Sequence, residues 1–125
     1  MNKDLILIDT NIVLYALNQN PTIYPFVNQK KLAISFVSEI ELLGWKGMTA
    51  ASRKVLQQFF KECLYIDYNY QIRQQTIWLK SQYNLKLADA LIAACSLEFD
   101  IPLVSADKDF SKVKEINFIN LIPSL

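Results

Sequence analysis

Short aliphatic runs alternate with longer amphipathic stretches along this chain. Residues 5–8 (LILI) form a continuous aliphatic run of strand length, which is typical of a strand buried on both faces. Further on, apolar residues recur at helical spacing, most strongly over residues 87–99. The pattern predicts strands at 5–8, 32–37, 64–66, 102–104 and 117–122, with helices at 12–17, from 38 to Gly44 or Gly47, and at 49–63, 70–83, 87–99 and 107–113. Residues 18–25 contain two prolines and read as a loop with a short helical turn.

The regular alternation of strands and helices predicts an α/β fold, a three-layer α/β/α sandwich with a mostly parallel central sheet. A chain of 125 residues that is 52% hydrophobic can bury a substantial core. No repeat, low-complexity tract or linker interrupts it, so we expect residues 1–125 to form a single domain. In open α/β sheets, ligands bind beyond the carboxyl ends of the strands.

Composition and charge exclude several classes of chemistry. The chain contains no histidine, which rules out Ser-His-Asp and Cys-His catalysis, paired-imidazole ribonucleases and histidine-based zinc sites. The net charge of +1 argues neither for nor against a nucleic acid partner. Asp4 and Asp9 lie on either side of the first apolar run, which argues against a signal peptide. No stretch reaches the length of about 18 apolar residues that a membrane span needs. With Cys63 and Cys95 not paired by any recognisable spacing, we expect a soluble cytoplasmic protein with free thiols.

Four carboxylates stand near the expected carboxyl ends of the strands. One follows the first strand, one lies in the helix after the second strand, one lies in the first turn of the 87–99 helix, and one follows strand 102–104. Because these ends meet at one edge of a parallel sheet, we expect the four side chains to converge. They are Asp9, Glu41, Asp89 and Asp107, called the acidic cluster below.

Each acid also has a purely structural interpretation. Asp9 and Asp107 suit the N-cap of the helix that follows each of them. Glu41 fits a capping box that starts at Ser38, and capping is the simpler explanation of Glu41 taken alone. Asp89 resists such an explanation because its neighbours are apolar, and a partly buried charge needs a partner or a metal ion.

Clustered carboxylates repel one another unless a cation lies among them. Hard oxygen ligands favour Mg²⁺ or Mn²⁺ over zinc. A metal ion held in this way can lower the pKa of a bound water and orient it for in-line attack on a phosphodiester. Such a mechanism needs no histidine, so it is compatible with the composition of this chain.

Three blocks of the sequence, taken together, resemble the PIN domains, most closely the small VapC-type toxin ribonucleases. They are LILIDTNIVLYAL, AISFVSEIELLGW and LKLADALIAACSLEFDIPLVSADKDF, and they span residues 5–110 in the order expected for that family. The resemblance implies a PIN-like fold and a metal-dependent endoribonuclease that acts as the toxin of a type II toxin-antitoxin pair. It also implies an RNA substrate, a cognate antitoxin protein and a homodimer.

The same resemblance assigns roles to individual residues. Asp9, Glu41 and Asp89 would be ligands of Mg²⁺ or Mn²⁺. Asp107 would be the fourth acid, acting directly or through water, with Asp109 as its alternative. Asn11 and Ser105 occupy the positions of polar supports for these acids.

Contacts with the substrate are less specific in the sequence. Lys46, Lys86 and Lys108 lie near the acidic motifs and are candidates for phosphate contacts, although a solvated surface position is favoured for each. The aromatic residues near these motifs could stack on bases, but core packing is favoured for them; they are Tyr15, Phe36 and Trp45.

The main alternative is a binding module of the same fold whose site is catalytically vestigial and which docks a protein or RNA partner. A haloacid-dehalogenase-like phosphatase would need a second aspartate two residues after the first, where this chain has Asn11. A receiver domain would need an acidic pair on its first strand, and a nucleotide-binding module would need a glycine-rich phosphate loop. Neither feature is present in the sequence.

Overall fold

The computed structural model describes residues 4–125; residues 1–3, which we included in the predicted domain, lie outside the described residues. Within the described chain, five strands form one sheet in the order β3-β2-β1-β4-β5. Every neighbouring pair is parallel. The predicted α/β fold is therefore confirmed. The strands are β1 (Leu5–Ile8), β2 (Lys31–Ser35), β3 (Leu64–Ile66), β4 (Leu103–Ser105) and β5 (Phe118–Asn120).

Helices connect the strands, as parallel neighbours require. A short 3₁₀ helix, Lys108–Lys112, precedes β5 and is capped by Asp107 as predicted. The α-helices of the described residues are α1 (Thr10–Leu17), α2 (Ile23–Asn28), α3 (Phe36–Leu43), α4 (Ala50–Glu62), α5 (Tyr70–Gln82) and α6 (Leu87–Phe99).

The sheet separates two apolar clusters, which explains the uninterrupted aliphatic character of β1. Leu7 belongs to a cluster with residues of α5 and α6, such as Ile72 and Ile92. Ile8 belongs to a second cluster with residues of α1 and α4, such as Ile12. Successive strand residues point to opposite faces of a sheet, so helices must cover both faces. The result is the predicted three-layer arrangement.

The boundary between β2 and α3 differs from the prediction. The strand ends at Ser35, whose hydroxyl oxygen accepts a hydrogen bond from the backbone N–H of Ser38 at 3.4 Å. Ser35 is therefore the N-cap, and Ser38 lies inside the helix. The capping box predicted for Ser38 and Glu41 is wrong, because Glu41 lies in the second turn of α3 and cannot close a box there.

The proline-containing segment after α1 is also more regular than predicted. Instead of a loop with a brief turn, it contains α2 with Pro25 as its third residue. The first four N–H groups of a helix have no partner within the helix, so proline is tolerated there. Cys95 is a buried free thiol, and Cys63 is free but only half-buried. None of the helices in residues 4–125 is long and apolar enough to span a membrane.

Candidate metal centre

The acidic cluster lies at the point where the strand order reverses. The chain places β2 and β3 in turn on one side of β1 within the sheet, and then crosses over to place β4 on the other side of β1. Such a reversal opens a crevice at the carboxyl ends of the two central strands. The backbone N–H of Asp9 donates to the Val104 carbonyl at 3.0 Å, so pairing of β1 with β4 continues to Asp9 and sets it beside Ser105.

Asp9 is a buried carboxylate that is only 6% exposed. Its Oδ2 accepts a hydrogen bond from the Ser105 hydroxyl at 2.7 Å, and its Oδ1 accepts one from the Thr10 amide at 2.7 Å. The fully buried Ser105 Oγ also accepts the Asp107 amide at 3.0 Å. Asp9 is the N-cap of α1, so the structural interpretation of Asp9 is confirmed, and its role as a metal ligand stays a prediction. Ser105 thus links the first and fourth acids of the cluster.

Glu41 reaches the same edge of the sheet from α3. Its Oε1 accepts a 2.6 Å hydrogen bond from the Thr10 hydroxyl. The Thr10 Oγ1 also lies 2.8 Å from the hydroxyl oxygen of Ser38, which is fully buried. Thr10 consequently contacts both Asp9, through its amide, and Glu41, through its hydroxyl.

Asp89 is half-buried in the first turn of α6. Burial raises the pKa of its carboxyl to about 6, and the negative charges of Asp107 and Asp9 add to this effect, while Lys86 opposes it. Burial also raises the pKa of Asp9, helped by the charges of Glu41 and Asp107 and opposed by the hydrogen bonds from Ser105 and Thr10. The charges of Asp107 and Asp9 thus act on Asp89, and those of Glu41 and Asp107 act on Asp9, while the convergence of all four carboxylates on one metal site stays a prediction.

The other predicted site residues lie at the margin of the cluster. Asn11 is exposed, and within residues 4–125 its side chain makes no hydrogen bond to the four acids. The exposed Asp109 donates its backbone N–H to Asp107 Oδ1 at 2.9 Å, and its charge contributes least to the raised pKa of Asp89. Asp107 is therefore closer to the centre of the cluster than Asp109. The candidate phosphate-binding lysines are all exposed; they are Lys46, Lys86 and Lys108.

The PIN domain family model matches residues 6–116, nearly the whole chain. The chain belongs to the PIN domain family. PIN domains of the VapC type are generally nucleases, and PIN nucleases generally use divalent metal ions. The comparison with curated protein sequences gives no match.

Solved structures show the same fold as this PIN domain. A toxin-antitoxin complex from Klebsiella pneumoniae aligns with a TM-score of 0.79 at 21% identity, over 91% of this chain and 95% of that chain. VapBC2 from Rickettsia felis, bound to a promoter DNA fragment, aligns with a TM-score of 0.80 at 20% identity, over 94% of this chain and 98% of that chain. VapBC-1 from nontypeable Haemophilus influenzae aligns with a TM-score of 0.78 at 24% identity, over 93% of this chain and 97% of that chain.

The donor atoms of this PIN domain suit a hard divalent cation. The cluster offers carboxylate oxygens, with no imidazole or thiolate among them. In the described conformation, residues 4–125 hold no group of three acidic or thiol side chains close enough to enclose a metal ion. Asp9 is fixed by two hydrogen bonds, and Glu41 is an exposed side chain that accepts one hydrogen bond, from the Thr10 hydroxyl. The donor set therefore fits the metal, and the half-buried side chains of Asp89 and Asp107 would have to turn toward Asp9 and Glu41 to complete its coordination.

A groove of about 610 Å³ opens beside the acidic cluster of the PIN domain. Thr10 and Glu41 line one part of it, and apolar side chains of α1, α4 and the α3–α4 connection line the rest. Trp45 in this groove is 65% exposed, which contradicts the core position favoured for it from the sequence. Tyr15 and Phe36 are partly buried against the core, as favoured.

Sequence reasoning missed two hydroxyl residues of this site, Thr10 and Ser38. The signals were present: Thr10 directly follows a strand-ending aspartate, and Ser38 is a small polar residue three positions before Glu41. Residues three apart share a helix face, so Ser38 and Glu41 had to face the same neighbour. That neighbour is the N-terminus of α1.

Proposed function

We propose that this chain is a divalent-metal-dependent endoribonuclease that cleaves RNA phosphodiester bonds, and that it is the toxin of a type II toxin-antitoxin pair acting in the cytoplasm. The observation that carries the proposal is the buried carboxylate of Asp9, anchored by Ser105 at the switch point of the sheet and electrostatically linked to the rest of the acidic cluster. Membership of the PIN domain family supports it.

In this proposal Asp9, Glu41 and Asp89 hold Mg²⁺ or Mn²⁺, and Asp107 acts directly or through water. A divalent ion bound there would supply a water of lowered pKa and would stabilise the charge that develops on the attacked phosphate. The raised pKa values of Asp9 and Asp89 support this assignment, because burial and, to a smaller extent, the neighbouring carboxylates disfavour their ionised forms, and a bound cation would favour those forms.

The protein itself would position the acids and the RNA backbone. Ser105 and the Thr10 amide fix the orientation of Asp9, so that ligand needs no reorganisation when the cation binds. Lys86, whose charge already acts on Asp89, is exposed at the start of α6 and is suited to contact an RNA phosphate beside the cluster. Lys108 is exposed next to Asp107 and is the second candidate.

The groove beside Glu41 supports the proposal of a protein antitoxin. Its exposed apolar side chains, Leu14, Trp45 and Val55, suit the apolar face of a partner helix. An arginine on such a helix would find the acidic cluster at the end of the groove, where it would occupy the place of the cation. The solved structures with the same fold include toxin-antitoxin complexes. The homodimer implied by the family resemblance stays a prediction, to be tested by light scattering.

Cleavage of total cellular RNA tests the proposal. We expect cleavage by the wild-type protein in Mn²⁺, none in EDTA, and none by Asp9→Asn or Asp89→Asn, because the amide keeps the shape of the side chain but removes the charge that holds the cation. Asp100→Asn is the matched control. It lies at the other end of α6 with a φ of 52°, a conformation that asparagine tolerates well.

Two outcomes would overturn parts of the proposal. Cleavage that survives EDTA or both substitutions would exclude the metal mechanism. Binding of RNA or of a protein partner by the wild type without any cleavage would favour the vestigial binding module.

A further inference from the structure

The hydroxyl groups of Ser38 and Thr10 are hydrogen-bonded in series to the Glu41 carboxylate. Thr10 Oγ1 lies 2.6 Å from Glu41 Oε1 and 2.8 Å from Ser38 Oγ. A hydroxyl carries one proton, and an ionised carboxylate can only accept. Thr10 must therefore donate its proton to Glu41 and accept the proton of Ser38. The direction of both hydrogen bonds follows from this count.

We propose that Ser38 and Thr10 are positioning residues that hold Glu41 toward Asp9 and thereby set the affinity of the acidic cluster for a divalent cation. The inference rests on the proposed function, because it concerns the metal site proposed there. It goes beyond that site by assigning roles to two residues that would contact neither the metal nor the RNA.

The burial of Ser38 supports this role. Its side chain is fully buried, on the same helix as the buried apolar residues Val37 and Leu42. A buried hydroxyl costs free energy unless it is hydrogen-bonded, and serine is a weak helix former compared with alanine. The residue would be poorly placed if packing were its only task, whereas a hydrogen bond to Thr10 makes use of its proton.

The position of Thr10 explains how the restraint would act on the metal site. Its amide holds Asp9 Oδ1 at 2.7 Å while its hydroxyl holds Glu41, so one residue fixes two carboxylates relative to each other. Glu41 is otherwise exposed, with several rotatable bonds to order when a cation binds. Holding it in place beforehand reduces that entropic cost and so strengthens binding.

Calorimetric titration with Mn²⁺ at fixed pH tests the inference without any activity assay. We expect Ser38→Ala and Thr10→Val to weaken Mn²⁺ binding about tenfold or more, the range found when residues that support metal ligands are removed. Thr10→Ser keeps the hydroxyl, so its Mn²⁺ affinity should stay close to that of the wild type. Urea melts in EDTA first establish that each variant is folded.

Ser96→Ala and Thr76→Val are the matched controls. Each loses a buried hydroxyl that donates to a backbone carbonyl away from the cluster, from Ser96 to Ile101 at 2.6 Å and from Thr76 to Ile72 at 2.7 Å. Their Mn²⁺ affinity should equal that of the wild type, even where their stability is lower. A general loss of stability would instead weaken binding in the controls as well.

A double-mutant cycle shows whether Ser38 acts on Mn²⁺ binding through Glu41. In a Glu41→Ala background, Ser38→Ala should weaken Mn²⁺ binding no further, because the side chain that it holds has gone. An undiminished effect in that background would overturn the inference. So would unchanged Mn²⁺ affinity of Ser38→Ala and Thr10→Val beside a wild type that binds. A wild type that binds no Mn²⁺ would overturn the proposed function, and the inference with it.

Discussion

The hydroxyl of Ser105 donates a 2.7 Å hydrogen bond to Oδ2 of Asp9, across 96 positions of sequence. Parallel pairing of β1 with β4 places the two residues side by side at the carboxyl ends of their strands. The first ligand of the proposed metal site is thus held by the sheet itself and not by a loop. That rigidity suits a site whose other carboxylates must close around it.

Replacing Ser105 by alanine removes a hydrogen bond from a buried carboxylate. We expect Ser105→Ala to lower the free energy of unfolding in EDTA by about 1–3 kcal/mol at pH 8, because hydrogen bonds to charged groups are worth more than neutral ones. The loss should shrink at pH 5, where Asp9, with its raised pKa, is closer to protonation. Urea melts of the variant and the wild type at the two pH values measure this loss of unfolding free energy. Ser96→Ala, which removes a bond to a neutral carbonyl, should show no such pH dependence; equal behaviour of the two variants would contradict the role of Ser105.

Glu41→Gln separates the charge of this side chain from its shape. Glutamine still offers an oxygen to the Thr10 hydroxyl, so the stability in EDTA should change by less than about 1 kcal/mol, and repulsion within the cluster is relieved. As a metal ligand glutamine is poor, so Mn²⁺ binding and RNA cleavage should both be largely lost. Urea melts and Mn²⁺-dependent cleavage rates provide the comparison. Unchanged cleavage with a clear loss of stability would make Glu41 a structural residue.

The raised pKa of Asp89 predicts a pH dependence of stability without metal. The folded carboxyl has a pKa of about 6, against an ordinary value of 3.8, so the folded state holds this proton more tightly than the unfolded chain does. The stabilisation is fully present below about pH 4 and is lost as the pH rises through about 6. Asp89→Asn should therefore be more stable than the wild type at pH 7.5 in EDTA.

The Asp89→Asn effect should be modest, about 1 kcal/mol, because this partly exposed carboxyl is screened by solvent. Urea melts from pH 4.5 to pH 8 in EDTA would show the difference between the variant and the wild type growing with pH. A difference that is constant over this range would contradict the raised pKa of Asp89.

Mn²⁺ should raise the melting temperature of the wild type, because a ligand that binds only the folded state stabilises it. At a concentration about 100 times the dissociation constant, the gain is about 2.7 kcal/mol. Asp9→Asn should lose this gain, and Asp100→Asn should keep it. Calorimetric melts with and without Mn²⁺ decide the matter, and an equal shift for Asp9→Asn would remove Asp9 from the metal site.

The sequence was sufficient to predict those parts of the molecule that depend on periodicity and strand ends. The aliphatic run of β1 and the helical spacing of α6 predicted the α/β fold and placed Asp9 and Asp89 at one edge of the sheet. The local pattern was ambiguous around α3, where both Ser35 and Ser38 can cap a helix and the S-x-x-E spacing favoured the wrong one. The contact of Ser38 with Thr10, 28 positions away, reflects tertiary packing that no local pattern contains.

Trp45 and Pro25 show the same limit in other ways. A tryptophan among apolar residues is expected to be buried, yet Trp45 lies exposed in the groove next to Glu41, against Gly47, where any Cβ would collide with its ring. Pro25 marks a break in a helix only when it lies in the interior, and here it falls in the first turn of α2. Both outcomes depend on positions within the fold that the sequence pattern does not specify.

Anomalous diffraction of crystals grown with Mn²⁺ tests the proposed metal site directly. We expect an anomalous peak at the carboxyl ends of β1 and β4, coordinated by carboxylate oxygens of Asp9, Glu41 and Asp89, with Asp107 bound directly or through water. The peak should be absent from crystals of Asp9→Asn grown in the same way. Wild-type crystals in millimolar Mn²⁺ with no peak among these four side chains would show that the acidic cluster is not a metal site.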